Sequence, residues 1–100
     1  MQYLLNNDDK KRIYDVLADC FIVGLKNNYI GSFEQKHIAK TILKEVEQAK
    51  SIDEVIIFLE TLSKKYSFFN TALITLKSDL IKKKEEIIIN KLEQYIKKIN

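Results

Sequence analysis

The apolar positions of this chain fall into four helical stripes, and the fourth turns partway along its length. Ile13, Leu17, Cys20, Phe21, Gly24 and Leu25 recur at three- and four-residue intervals, the spacing that gathers side chains on one face of an α-helix. Tyr14, Val16, Ile22 and Val23 widen this stripe until a narrow face of Arg12, Asp15, Asp19 and Lys26 stays polar. Such girth predicts that the first helix is the one the others surround. A second stripe runs through Ile38, Ala39, Ile42, Leu43, Val46 and Ala49. A third runs through Ile52, Val55, Ile56, Leu59, Leu62 and Tyr66, with Phe58 alongside.

Start signals precede each stripe. Asn7 before Asp8 and Asp9 reads as an N-cap with carboxylates at the positive end of the helix dipole. Ser32 with Gln35, and Ser51 with Glu54, have the spacing of capping boxes. Asn70 is the expected cap of the last helix, with Phe69 placed to staple onto Ile74. The first connection is Asn27 to Gly31, and Gly24 within the first helix predicts a close helix crossing there.

From Asn70 to the C-terminus there is no Gly and no Pro. An unbroken helix there spans roughly 45 Å at 1.5 Å per residue, more than three helices of about fifteen to twenty residues can cover. Leu73, Leu76 and Leu80 continue a 3-4 stripe flanked by Ile81. The run from Lys82 to Glu86 then interrupts it. When apolar residues resume, the face is drawn by Ile88, Leu92, Tyr95 and Ile99, flanked by Ile89 and Ile96. In helical phase the sole bridge between the halves runs Ile81, Glu85, Ile88. The stripe has rotated, so the proximal half is expected on the bundle and the distal half against something else.

These elements predict an all-α fold: a small bundle of four helices with a long C-terminal helix that partly projects. Residues 1–82 form the expected bundle and residues 83–100 an amphipathic basic arm. Core positions are expected at Ile13, Leu17, Phe21, Leu25, Ile38, Ile42, Val46, Val55, Leu59, Leu62, Leu73, Leu76 and Leu80. One hundred residues suffice for one modest core, and no Pro with two Gly favours helices over a turn-rich β fold.

Charge adds one feature. Residues 77–100 hold seven Lys against Asp79, Glu85, Glu86 and Glu93, so the whole formal charge of +3 lies in this segment. Lys84, Lys91 and Lys98 recur every seven residues beside the apolar stripe. Basic residues are sixteen Lys to one Arg, and lysine lacks the planar fork that reads guanine or grips phosphate at two points. Sequence-specific nucleic-acid readout is therefore not expected.

Catalytic and metal chemistry find no constellation. His37 is the sole histidine and has no Cys, Asp or Glu at metal-ligand spacing on its face. Cys20, the lone cysteine, sits among apolar residues and reads as a small core hydrophobe. Asp15 and Asp19 stand one turn apart, like paired acid-base carboxylates, but on the charged outer face. No enzyme activity, cofactor or metal is expected. Apolar runs are too short to span a membrane, the N-terminus lacks the regions of a signal peptide, and a cytoplasmic location is the default for a chain with one thiol. The expected function is a noncatalytic interaction module that binds a protein partner, itself or another, through Ile88, Leu92, Tyr95, Ile96 and Ile99 with Lys84, Lys91 and Lys98 at the rim. The alternative is nonspecific contact of the lysine ridge with nucleic acid or an anionic surface.

Overall fold

A computed structural model describes residues 5–99. Its elements are α1 (Asn7–Lys26), α2 (Ser32–Gln48), α3 (Ile52–Lys65), a 3-10 turn at Ser67–Phe69, and α4 (Asn70–Ile99). The fold is all-α, as the periodicity predicts, and α4 is the longest helix at 30 residues.

The four helices form a ring in which neighbours in sequence are neighbours in space. α1 packs on α2 and α4, and α3 packs on α2 and α4. Ion pairs fix the directions. Arg12 meets Asp79 at 3.6 Å while Asp9, earlier in α1, pairs with Lys83, later in α4; Glu60 meets Lys77 at 3.2 Å while Asp53, earlier in α3, meets Lys84 at 2.9 Å. Both α1 and α3 therefore run antiparallel to α4. At one end of the bundle lie the starts of α1 and α3 and the end of α2, held by Leu5 N–H donating to the Lys50 carbonyl at 3.2 Å and Lys10 Nζ donating to the Glu47 carbonyl at 2.9 Å. α4 passes this end and continues. The result is a rod-like molecule of 62 × 21 × 20 Å with a radius of gyration of 16.3 Å, against about 13 Å for a compact chain of this length.

The core is the shared interior of the ring. Ile13, Leu17, Ile38, Val46, Ile52, Val55, Leu59, Phe69, Ala72 and Leu76 are buried almost completely. Phe21, Leu25 and Leu73, also expected in the core, pack against its edge and stay partly exposed. α1 is not surrounded by the others. Ile22 and Val23 on its outer side are 46% and 50% exposed, because α1 is one wall of a ring and its extra apolar flank has no helix to face.

Local chemistry explains most helix ends, with shifts from the sequence reading. Asn6, not Asn7, caps α1: its side chain accepts from Asp9 N–H at 2.8 Å while the Asp9 carboxylate accepts from Asn6 N–H at 3.0 Å. That is the reciprocal capping box in a form built from Asn and Asp. α1 ends in a Schellman motif, with Tyr29 N–H donating to the Gly24 carbonyl at 2.9 Å, Asn28 N–H donating to the Leu25 carbonyl at 3.2 Å, and Asn28 at φ 57°. Asn is the side chain that tolerates this left-handed position best after Gly. Ser32 is the first residue of α2 and forms no cap; Gly31 occupies the cap position without a side-chain bond. Ser51 caps α3 through Glu54 N–H at 3.3 Å, but the Glu54 carboxylate reaches Lys50 N–H at 2.6 Å and leaves the box half made. α4 has no Asn70 cap, because the 3-10 turn feeds straight into it. The Phe69–Ile74 staple is likewise absent: Phe69 is 1% exposed in the core and Ile74 is 70% exposed on the outside.

Gly24 is required by that 3-10 turn. A Cβ there would stand 2.8 Å from Phe68 Cε2 and 2.9 Å from Ile30 Cδ1, inside van der Waals contact. The close neighbour is thus an aromatic ring and a loop isoleucine, not a crossing helix. Gly24→Ala gains up to about 1 kcal/mol of helix propensity but forces the ring outward at a cost of about 1–3 kcal/mol. The expected outcome in urea unfolding is a net loss of stability, and a Gly24→Ala chain as stable as the parent contradicts this packing.

Candidate functional site

The face that α4 turns to the bundle is drawn by Phe69 just before it and then by Ala72, Leu76 and Leu80, all buried. This is a 3-4 repeat, and it stops at Leu80. One turn further on the bundle ends, and lysines meet it there. Lys83 Nζ pairs with the Asp9 carboxylate at the start of α1, and Lys84 Nζ donates to Asp53 Oδ1 at 2.9 Å at the start of α3. These two carboxylates lie in the first turns of their helices, where helix dipoles favour negative charge. The lysines thus clamp α4 to both of its neighbours at the rim. Lys77–Glu60 and Lys84–Asp53 are a matched pair of bridges, since both lysines and both carboxylates are seven residues apart.

Beyond Lys84 the helix runs on for fifteen residues, roughly 22 Å. Projecting the buried face of α4 forward leads to Ile87, Lys91, Gln94 and Lys98, which is mostly polar. The apolar positions lie roughly 140° around the axis and continue the outer side of α4: Ile74, Ile81, Ile88 and Tyr95 follow one another at seven-residue steps. Ile88 is 40% exposed, Leu92 57%, Tyr95 60% and Ile96 58%. The rotation read from the sequence is present, and the distal stripe points away from the three other helices.

Each residue expected at the site can be placed. Ile88, Leu92, Tyr95 and Ile96 share the exposed outer face, with Ile89 beside them. Ile99 is the last residue of α4, and its side chain lies outside the described residues. Lys98 is exposed. Lys84 belongs to the clamp, and Lys91 is half-buried and, like Lys84, already has an interaction partner within the chain. The lysine ridge is therefore divided between bundle and arm. Residues 85–99 hold Lys91, Lys97 and Lys98 against Glu85, Glu86 and Glu93, a formal balance of zero. The excess positive charge of the C-terminal segment sits at the rim, answered by Asp9 and Asp53.

The opposite end of the bundle carries an exposed aromatic patch that the apolar periodicity does not mark. Phe33, in the first turn of α2, is 97% exposed, and Tyr29 is 64% exposed. Tyr29 stacks on Phe68 with centroids 6.2 Å apart, and Phe68 touches Phe69 at 4.6 Å. Phe33 lies off the α2 stripe, which was the available signal.

Asp15, Asp19 and His37 are exposed, and among the described residues no three of His, Cys, Asp and Glu are placed to hold a metal. The groove between α1 and α2, about 340 Å³, is walled by Tyr14, Leu17, Phe21, Ile42 and Leu43 and has no acid-base pair. No described helix is long and apolar enough to cross a membrane. No family profile, curated protein or solved structure matches this chain.

Cys20 is buried against α4. Burial raises its thiol above the ordinary value of 9.0, a hydrogen bond with the Ala72 backbone opposes that rise, and Asp19 adds to it. Above about pH 9 the unfolded chain has released a proton that the folded chain keeps, so stability falls as pH rises and is flat below that range. Tyr14 and Tyr66, also raised chiefly by burial, act in the same direction from about pH 10 upward. Denaturant titrations from pH 7 to 10.5 should show this decline, and Cys20→Ala should make its first part shallower. An unchanged slope in Cys20→Ala removes Cys20 as the source.

Proposed function

We propose that the protein is a noncatalytic helical interaction module that binds a protein partner through the distal half of α4. The observation that carries this reading is the rotated stripe. Ile88, Leu92, Tyr95 and Ile96 are half exposed in a segment held clear of the bundle by its own clamp, Lys83–Asp9 and Lys84–Asp53. An amphipathic helix presenting anchors at i, i+4, i+7 and i+8 suits a groove or a second helix, where those side chains leave water. Burying each of them fully is worth roughly 1.5–3 kcal/mol before the costs of association. Lys91 and Lys98 run along the ridge beside the stripe.

The arm's zero formal charge weighs against the polyanion reading. Phosphate binding scales with the number of charges neutralised, and three lysines interleaved with three glutamates supply little net field. A cytoplasmic setting belongs to this proposal and suits a chain whose cysteine is free.

The test is a photo-crosslinking residue placed at Leu92 in the full chain, expressed in cells, with a control at Lys40 on the exposed side of α2. The expected outcome is protein adducts from position 92 and none from position 40, together with a chain lacking residues 85–100 that keeps its thermal transition. No adduct from position 92, or a truncation that unfolds the bundle, contradicts the proposal. Retention of the intact chain on a polyanion column with steep loss in salt would favour the phosphate reading in its place.

A further inference from the structure

We propose that the aromatic end of the bundle is a second binding site, which takes single-stranded nucleic acid without regard to sequence. It lies at the opposite end from the arm and does not depend on what the arm binds.

The site is a stack of rings rooted in the core. Phe69 is 1% exposed, Phe68 lies on it with centroids 4.6 Å apart, and Tyr29 stacks on Phe68 at 6.2 Å with planes 27° apart. Phe68 packs over Gly24, where even a Cβ would meet its ring at 2.8 Å. The stack is therefore in place before any ligand arrives. Tyr29 is its outermost ring and is 64% exposed. A ring in that position offers the next plane to a nucleobase, and every base has a face that can take it. Tyr29, Lys65, Tyr66, Ser67 and Phe68 together line a crevice of about 440 Å³. Lys65 Nζ stands 5.7 Å from the centre of the Tyr66 ring.

Charge selects the ligand. Residues 23–37 and 61–73 build this end and hold Lys26, Lys36, Lys64 and Lys65 against Glu34, and Glu34 is hydrogen-bonded to the Tyr66 side chain. Lys26 lies in the last turn of α1, and Lys64 and Lys65 in the last turn of α3. α1 and α3 stand across the ring from each other, with α2 and α4 between them. A strand laid over the platform meets lysine on either side of its stacked base, an arrangement that a lone nucleotide leaves half used. Lysine in a last turn also answers the helix dipole, but a ring left 64% exposed at the head of a buried stack does not follow from that need. Lysine meets phosphate as a point charge, and neither it nor a stacked ring reads base identity. A polyanion without bases engages the lysines alone and is held more weakly than a strand.

Fluorescence anisotropy of a labelled oligothymidylate of about ten nucleotides, titrated with the full chain, tests the site. Binding is expected at roughly 10⁻⁴ M at physiological salt. Tyr29→Ala should weaken it roughly tenfold, while Tyr29→Phe, which keeps the ring, should bind like the parent. Lys64→Gln/Lys65→Gln should weaken binding and lower its logarithmic salt slope by roughly 0.7 for each lysine removed. Inorganic polyphosphate should compete poorly. Tyr29, Lys64 and Lys65 are exposed, so an unchanged thermal transition in each variant reports an intact bundle. A full chain that does not bind the oligonucleotide, Tyr29→Ala at parental affinity, or polyphosphate that competes as well as unlabelled oligonucleotide overturns the site. Binding that is lost in Lys91→Gln/Lys98→Gln and kept in Tyr29→Ala places the strand on the arm and overturns it too.

Discussion

The change of phase in α4 at the bundle rim governs the rest of this structure. Up to Leu80 the helix is a wall of a four-helix ring, with Ala72, Leu76 and Leu80 buried against its neighbours. From Ile88 onward its apolar side is turned to the opposite quarter. An α-helix cannot twist to correct this, because its 3.6-residue period is fixed by backbone hydrogen bonding. The two halves must therefore face different surroundings, and the molecule has the 62 Å length that follows.

The rim lysines tie α4 to both of its neighbours where the two halves meet. Isolated exposed ion pairs contribute little to stability, but the pairs of Lys83 with Asp9 and Lys84 with Asp53 act where geometry matters more than energy. They join the last bundled turn of α4 to the first turns of both α1 and α3. Helix dipoles at those first turns favour the carboxylates that receive them. The arm is also a continuation of a formed helix, so the nucleation cost that makes short free helices marginal in water is already met. A fifteen-residue segment can thus stay helical while exposing Leu92 and Tyr95.

Much of this was legible in the sequence, for physical reasons that can be named. The 3-4 spacing of Ile38, Ile42 and Val46, and of Val55, Leu59 and Leu62, leaves one way to bury each helix, and all six are buried. The rotation of the α4 stripe is a property of phase alone, and it holds in three dimensions. What could not be read were features decided by tertiary neighbours. α1 has enough apolar surface to be central, yet the ring gives it partners on two sides, and Ile22 and Val23 face outward. Phe69 reads as a staple residue but is drawn into the core by the 3-10 turn. The lysine ridge looks uniform along the chain, whereas Asp53, distant in sequence, claims its first member, Lys84.

The account's central claim is that residues 85–98 are not sheltered by their own bundle. Amide hydrogen exchange resolved by residue, recorded on the full chain at low and high protein concentration, tests it most directly. Protection at Ile88, Leu92 and Tyr95 is expected to be weak in dilute solution, while Leu76 and Leu80 are strongly protected throughout. Protection of the arm equal to that of Leu76 and independent of concentration would contradict the claim.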